Sequence, residues 1–111
     1  MISYNLNEYG LRKKDMDYLN QLFVSNPSIE RVLIFGSRAK GKHRLASDID
    51  LALVGNSISA SDTRRIHSLL ENESPTLLWA DVLHYNSLSD SALKKEIDQW
   101  GKVIYEQIPK K

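Results

Sequence analysis

Two short groups of residues in this sequence have the chemistry to hold a phosphorylated ligand. Gly36 and Ser37 directly follow an apolar run at 32–35, and after ten further residues Asp48 and Asp50 open a second apolar run. Because a β-strand sends residues i and i+2 to the same face, about 7 Å apart, the two aspartates are expected to point together from one strand. Two such carboxylates make a hard, oxygen-only site that suits Mg²⁺ with several of its waters retained.

Gly36 and Ser37 add the features that a phosphate group requires. Glycine lets the backbone leave a strand at a φ angle that other residues resist. Ser37 and the amides after it are expected to begin a helix whose free N–H groups face a phosphate. Taken alone, Ser37 is also explained as a helix N-cap, and the two aspartates as solvated turn residues. Their combination at this spacing predicts a nucleotide site.

The rest of the chain supplies helices and strands that position these residues. Apolar residues at helical spacing predict an amphipathic helix over 11–25, which Asn26 and Pro27 end. Short apolar runs rich in β-branched and aromatic side chains predict strands. The elements predicted after the first helix are a strand at 31–35, a short helix or turn at 37–42, a polar loop at 42–47, a strand at 48–54, a helix at 61–72, a strand at 76–84, a helix at 89–100, and a short strand or docked tail at 103–105.

The order of these elements predicts the fold class. Two strands joined by a helix favour a right-handed crossover, so the sheet is expected to be partly parallel or mixed. At 111 residues the chain is expected to form a single domain, residues 1–111. The sequence therefore predicts an α/β (α+β) fold, a small mixed β-sheet with helices packed on it.

Composition narrows the functional classes. With 41% hydrophobic and 26% charged residues the chain is predicted to be globular, and a net charge of +1 gives no reason to expect direct binding to nucleic acid. No apolar run approaches the about 20 residues of a membrane span. The absence of cysteine excludes disulfides, thiolate zinc sites and a cysteine nucleophile, and a cytoplasmic location is expected.

The Gly-Ser pair, the ten-residue interval and the Asp-Ile-Asp triplet resemble the signature of the DNA polymerase β-like nucleotidyltransferases. They are similar in particular to the minimal nucleotidyltransferase (MNT) domains that are paired with HEPN proteins in bacteria and archaea. The likeness covers most of the chain, in the segments 36–41, 47–51 and 101–106 and in a later strand aspartate. It implies the polymerase β-like fold and transfer of a nucleoside monophosphate, with two Mg²⁺ ions as cofactors and ATP as the substrate.

The resemblance also implies roles for individual residues. Asp48 and Asp50 are the expected catalytic metal ligands. Family members use a third strand carboxylate, and Asp81 is the only acidic residue inside a later apolar run, which makes it the candidate for a third catalytic and metal-binding position. A strand-edge aspartate paired with Lys or Arg is the other interpretation of Asp81.

For the nucleotide, the resemblance implies binding by Gly36, Ser37 and Arg38. The neighbouring cations Lys40, Lys42, His43 and Arg44 are individually better explained as a solvated loop, because only Arg38 falls within the family pattern.

The expected partner is a HEPN protein, a helical, ribonuclease-like toxin. Larger members of the superfamily hold the acceptor or the base in a second, helical domain, for which 111 residues leave no room. The resemblance implies that the chain neutralises its toxin by transferring AMP to a tyrosine. Two alternatives stay open: an antitoxin that blocks its partner only by binding, and a subunit that nucleotidylates a small molecule once a partner supplies the acceptor site.

Overall fold

The structure is a computed structural model that describes residues 7–42, 48–72 and 79–107. Within these ranges the chain forms three α-helices, four β-strands and one 3₁₀ turn. In chain order they are α1 (Lys13–Val24), β1 (Arg31–Phe35), β2 (Ile49–Val54), α2 (Ala60–Asn72), β3 (Ala80–His84), the 3₁₀ turn (Tyr85–Ser87), α3 (Ser91–Trp100) and β4 (Lys102–Glu106). No helix in the described part of the chain is long and apolar enough to cross a membrane.

The helices predicted over 11–25, 61–72 and 89–100 and all of the predicted strands are present, with bounds that shift by a few residues. The strand predicted over 76–84 begins at Ala80, and residues 76–78 lie outside the described ranges. The loop predicted over 42–47 also falls mostly outside them, and so do His43 and Arg44. Within the described ranges, the order of the elements agrees with the prediction.

The four strands form one mixed sheet in the order β3-β2-β1-β4. β1 pairs antiparallel with both β2 and β4, whereas β2 and β3 are parallel and are joined by α2. Parallel neighbours need a crossover connection, because a tight turn reverses the chain and can join only antiparallel strands. The predicted partly parallel sheet is therefore confirmed, and α2 is its crossover helix.

The two faces of the sheet bury different sets of side chains, since successive residues of a strand point to opposite faces. On one face, strand residues such as Ile34 and Leu51 pack with Phe23 of α1 and Ile66 of α2 in the larger core cluster. On the other face, a smaller apolar cluster joins the sheet to α3. It contains Phe35, Ala52 and Ile97, with Leu33, Leu83 and Leu93 packed against it.

This alternation determines where polar strand residues can lie. Phe35 is the register partner of Asp50, and Leu33 is the partner of Ala52. Because paired residues share a face, Asp50 lies on the same face as α3, next to the smaller cluster. The larger apolar cluster lies on the opposite side of the sheet.

Candidate active site

The two strand aspartates lie side by side at one end of the sheet. Asp50 is the register partner of Asp81 in the parallel pairing of β2 with β3. Both residues therefore project from the α3 face, near the point where β1 ends and the two acidic strands begin. Asp48 precedes Asp50 by two positions, and both Asp48 and Asp81 are exposed while Asp50 is half-buried. The structure thus brings the three predicted carboxylate residues to one end of neighbouring strands.

Burial and the neighbouring carboxylates change the protonation equilibrium of Asp50. Burial, which is the largest cause, and the negative charges of Asp81 and Asp48 together raise the pKa of Asp50 from 3.8 to about 6. The positive charge of Arg38 acts in the opposite direction but is weaker. Like charges gathered in this way are unfavourable without a cation, so the arrangement is one that a bound divalent ion stabilises.

Gly36 sits directly against this carboxylate, at the end of β1. Its φ angle is +74°, a left-handed conformation that other residues rarely adopt. A Cβ atom at this position would overlap Oδ2 of Asp50. Glycine is therefore required twice, by the backbone conformation and by the close approach of the Asp50 side chain.

The helix expected to begin at Ser37 is absent, and the alternative of a turn is what the structure contains. The amide of Lys40 donates to the carbonyl of Gly36 at 3.2 Å, and that of Lys42 donates to the carbonyl of Ser37 at 2.9 Å. A second glycine, Gly41, has a φ angle of +73°. Two left-handed glycines five positions apart confine the segment to turns, so Ser37 is not a helix N-cap.

Arg38 is enclosed by the protein rather than presented to solvent. Its side chain is only 1% exposed, and Nη1 donates to the backbone carbonyls of Tyr9 at 2.7 Å and Gly10 at 3.3 Å. These contacts connect the segment before α1 to the turn after β1. Binding of the nucleotide by Gly36, Ser37 and Arg38 stays a prediction, and for Arg38 the contacts support a structural role.

A cleft of about 460 Å³ opens beside the two strand aspartates, and its polar lining includes residues that sequence analysis did not single out. Besides Asp50 and Asp81, three side chains of α2 line it: Thr63, Arg64 and His67. His67 Nε2 lies 3.2 Å from Oε1 of Glu71 on the next turn of the same helix. The sequence could have indicated these residues only by their position, because α2 connects the two strands that carry the aspartates and the three side chains lie close together on one helix.

The carboxylate oxygens of the site suit Mg²⁺ chemically, but among the described residues they are not arranged at metal-binding distances from one another. Among residues 7–42, 48–72 and 79–107, no group of three or more His, Cys, Asp or Glu side chains is arranged to hold a metal ion. Asp48, Asp50 and Asp81 nevertheless offer only carboxylate oxygens, the hard donors that Mg²⁺ prefers. Their role as metal ligands is a prediction supported by position and charge.

Comparison with known proteins identifies the family. Residues 17–110 match the polymerase beta nucleotidyltransferase family, and the chain belongs to it. The match includes the Gly-Ser turn and all three aspartates. No curated protein matched the chain.

Several solved structures with a similar fold come from toxin–antitoxin complexes. A chain of a mutant MntA complex superposes with a TM-score of 0.67 at 21% identity, covering 93% of this chain and 75% of that one. A toxin–antitoxin complex with AMP-PNP gives a TM-score of 0.64 at 20% identity, with coverages of 86% and 74%. A complex of tri-AMPylated Shewanella oneidensis HEPN toxin with its MNT antitoxin gives 0.56 at 18%, with coverages of 84% and 71%. These similarities establish the polymerase β-like nucleotidyltransferase fold.

Proposed function

We propose that this chain is a Mg²⁺-dependent nucleotidyltransferase that transfers AMP from ATP to a hydroxyl group of a HEPN-type protein and thereby acts as its antitoxin. The observation that carries the proposal is the side-by-side register of Asp50 and Asp81 next to the Gly36 turn. Structural neighbours were solved with AMP-PNP and with an AMPylated HEPN toxin. Those ligands and partners belong to the neighbours and support the proposal for this chain by analogy of fold.

The turn after β1 is the proposed site of the β- and γ-phosphates. The Ser37 side chain is partly exposed, and among the described residues its hydroxyl has no hydrogen-bond partner, which leaves it available to a phosphate oxygen. Gly36 has no side chain at the point where this turn comes closest to Asp50. A hydrogen bond from Ser37 to a phosphate would be charge-assisted, about twice as strong as a neutral one.

Asp48, Asp50 and Asp81 are the residues that would hold Mg²⁺. When bound, the metal supplies positive charge to the phosphate oxygens and to the attacking and leaving oxygens. The protein's contribution is to hold the carboxylates on neighbouring strands of a rigid sheet, with Asp50 anchored against Gly36 and Asp81 at the exposed edge strand. Rigid placement of this kind is what phosphoryl-type transfer requires of a protein.

The reaction proposed here is a substitution at the α-phosphorus of ATP. The oxygen of the acceptor hydroxyl forms a bond to that phosphorus, and the bond from phosphorus to the bridging oxygen of the β-phosphate breaks. Pyrophosphate leaves with that electron pair, and the proton of the hydroxyl passes to a carboxylate, for which we propose Asp81, an exposed residue beside Asp50. The products are the adenylylated acceptor and pyrophosphate.

The test uses the protein with the partner that co-purifies from its own host. The complex is incubated with Mg²⁺ and ATP radiolabelled at either the α- or the γ-phosphate, with EDTA as the control. Label from the α-position alone on the partner is expected. Absence of label together with retained inhibition of the partner would instead indicate an antitoxin that acts by binding only.

A further inference from the structure

Trp79 is the most exposed of the large apolar side chains in the described part of the chain, with a relative exposure of 67%. It directly precedes β3, and its carbonyl accepts a hydrogen bond from the amide of Ile49 at 2.8 Å, which continues the pairing of β3 with β2. Tryptophan is highly buried on average, because its ring system is large and mostly apolar. A tryptophan whose backbone is held in the sheet but whose ring is open to solvent can contact a ligand without giving up core packing.

The register of the sheet places this indole on the face that carries the aspartates. Ile49 is the partner of Ala80, and both side chains belong to the larger core cluster on the opposite face. Because successive strand residues alternate between the two faces, Trp79 and Asp81 both point away from that core, about 7 Å apart. Extending the register by one residue makes Trp79 the neighbour of Asp48 across the two strands. The indole therefore lies beside the carboxylates proposed to bind Mg²⁺.

The proposed nucleotide has a direction across this end of the sheet. Gly36 follows β1, Asp50 lies on β2 and Asp81 lies on β3, and these strands are consecutive neighbours. With the β- and γ-phosphates at the Gly36 turn and the metal at the carboxylates, the triphosphate extends from β1 toward β3. The nucleoside is attached to the α-phosphate, at the end away from the other two phosphates. It therefore emerges on the side of β3, where Trp79 is exposed.

The second tryptophan of the chain has different surroundings. Trp100 ends α3 and is 38% exposed, and the ammonium of Lys40 lies 5.5 Å from the centroid of its ring. A cation at this distance is attracted to the face of the ring. The same ammonium forms an ion pair with Glu96 of α3, so it stays close to the ring. Of the two indoles, that of Trp79 is the more open to a stacked ligand.

We propose that Trp79 stacks on the base of the bound nucleotide and so fixes the nucleoside beside the metal-binding carboxylates. Every nucleobase has a flat aromatic face, and stacking on an aromatic side chain typically strengthens binding by about tenfold or more. Stacking does not depend on the hydrogen-bonding edge of the base. Trp79 therefore favours a nucleotide over a bare polyphosphate without distinguishing adenine from guanine. This inference rests on the proposed nucleotidyltransferase function and names the residue that binds the base.

The test compares Trp79→Leu with Trp100→Leu, a matched control that removes the other exposed indole. Melting curves of the full chain verify that both variants are folded. The Kd is measured with Mg²⁺ for AMP-PNP, for GMP-PNP and for inorganic tripolyphosphate, which has no base. Relative to Trp100→Leu, Trp79→Leu is expected to raise the Kd about tenfold for both nucleotides. The Kd for tripolyphosphate should stay within about twofold, because the lost contact is made to the base alone.

A conservative variant and a spectroscopic signal give two further readouts. Trp79→Phe keeps an aromatic ring and should recover most of the affinity that Trp79→Leu loses. The chain has two tryptophans, so Trp100→Phe leaves Trp79 as the only indole. In that variant, AMP-PNP with Mg²⁺ should change the tryptophan fluorescence and tripolyphosphate should not, since only the nucleotide brings a ring against the indole.

The other results overturn the inference in distinguishable ways. An unchanged Kd for AMP-PNP in Trp79→Leu would show that the indole does not contact the base, while leaving the proposed function intact. An equal loss of affinity for tripolyphosphate would show that Trp79 supports the metal site instead. Weaker binding of the co-purifying partner with normal affinity for AMP-PNP would assign Trp79 to the protein interface. A wild-type complex that binds AMP-PNP but transfers no AMP from ATP would contradict the proposed function, whereas the Kd values of the variants would still decide the base contact.

Discussion

Replacing Asp50 by asparagine should stabilise the chain when no metal is bound. The pKa of Asp50 is raised by burial and by the charges of Asp81 and Asp48. A raised pKa means that the native state binds the proton more tightly than the unfolded state does. The favourable contribution is therefore fully present below the unfolded pKa and is lost as the pH rises through the folded pKa. Asparagine resembles the protonated acid and does not suffer this loss.

The size of the effect follows from the pKa change and from exposure. A rise in the pKa from 3.8 to about 6 corresponds to about 3 kcal/mol for a group shielded from solvent. Asp50 is only half-buried, so solvent screening reduces the effect, and we expect about 1–2 kcal/mol above pH 6. For a domain of this size, the melting temperature should rise by about 4–8 °C.

The assay is a series of thermal melts of wild type and Asp50→Asn in EDTA between about pH 4 and pH 7.5. The two proteins should melt nearly together at the acidic end, with the variant more stable at the neutral end. Asp62→Asn is the control with the opposite sign, because hydrogen bonds from Ser59 lower the pKa of Asp62. If Asp50→Asn melts below wild type at neutral pH in EDTA, the carboxylates do not repel one another, and Asp50 is a structural hydrogen-bond acceptor.

Three further predictions concern the turn after β1. In chemical denaturation, Gly36→Ala should lower the free energy of unfolding by about 1 kcal/mol or more beyond the loss caused by Gly41→Ala, because both glycines have a positive φ but only Gly36 lies against Asp50. Equal losses in the two variants would show that the close approach to Asp50 does not affect stability. Arg38→Met should cost about 2 kcal/mol and speed hydrogen exchange in residues 7–12, since it leaves two carbonyls unpaired; unchanged exchange would contradict the anchoring role. Ser37→Ala should change the free energy of unfolding by less than about 0.5 kcal/mol while slowing AMP transfer. A lowered melting point with unchanged transfer would instead give Ser37 a structural role and not a phosphate-binding one.

The placement of the candidate site residues on strands and turns could largely be predicted because its signals are local. The interval between Gly36 and Asp50 encodes a strand end, a turn and a second strand, each with its own residue preferences. The i, i+2 spacing of Asp48 and Asp50 at the start of a strand predicted that they share a face. The apolar context of Asp81 indicated a third strand, and the helix between them indicated the parallel crossover that the structure confirms.

Other features depend on contacts between distant segments, which a local pattern does not encode. Arg38 has the same side chain whether it faces phosphate or the carbonyls of Tyr9 and Gly10, and only the packing of the segment before α1 distinguishes these positions. The contribution of Arg64 to the cleft depends on how far α2 extends beside the edge strand β3. The turn at Ser37 was ambiguous because a single helical turn and a pair of glycine turns begin with similar residues.

The central claim, that this acidic site transfers a nucleotide, is tested most directly by the mass of the partner. The complexes of wild type and Asp48→Asn with the co-purifying protein are incubated with ATP and Mg²⁺, and the intact mass of both chains is measured. Asp48 is exposed, so the substitution should leave the fold unchanged while removing a carboxylate charge that attracts Mg²⁺. We expect the partner to gain the mass of one or more AMP groups with wild type and none with Asp48→Asn. The same gain with both proteins would contradict the catalytic role of this site.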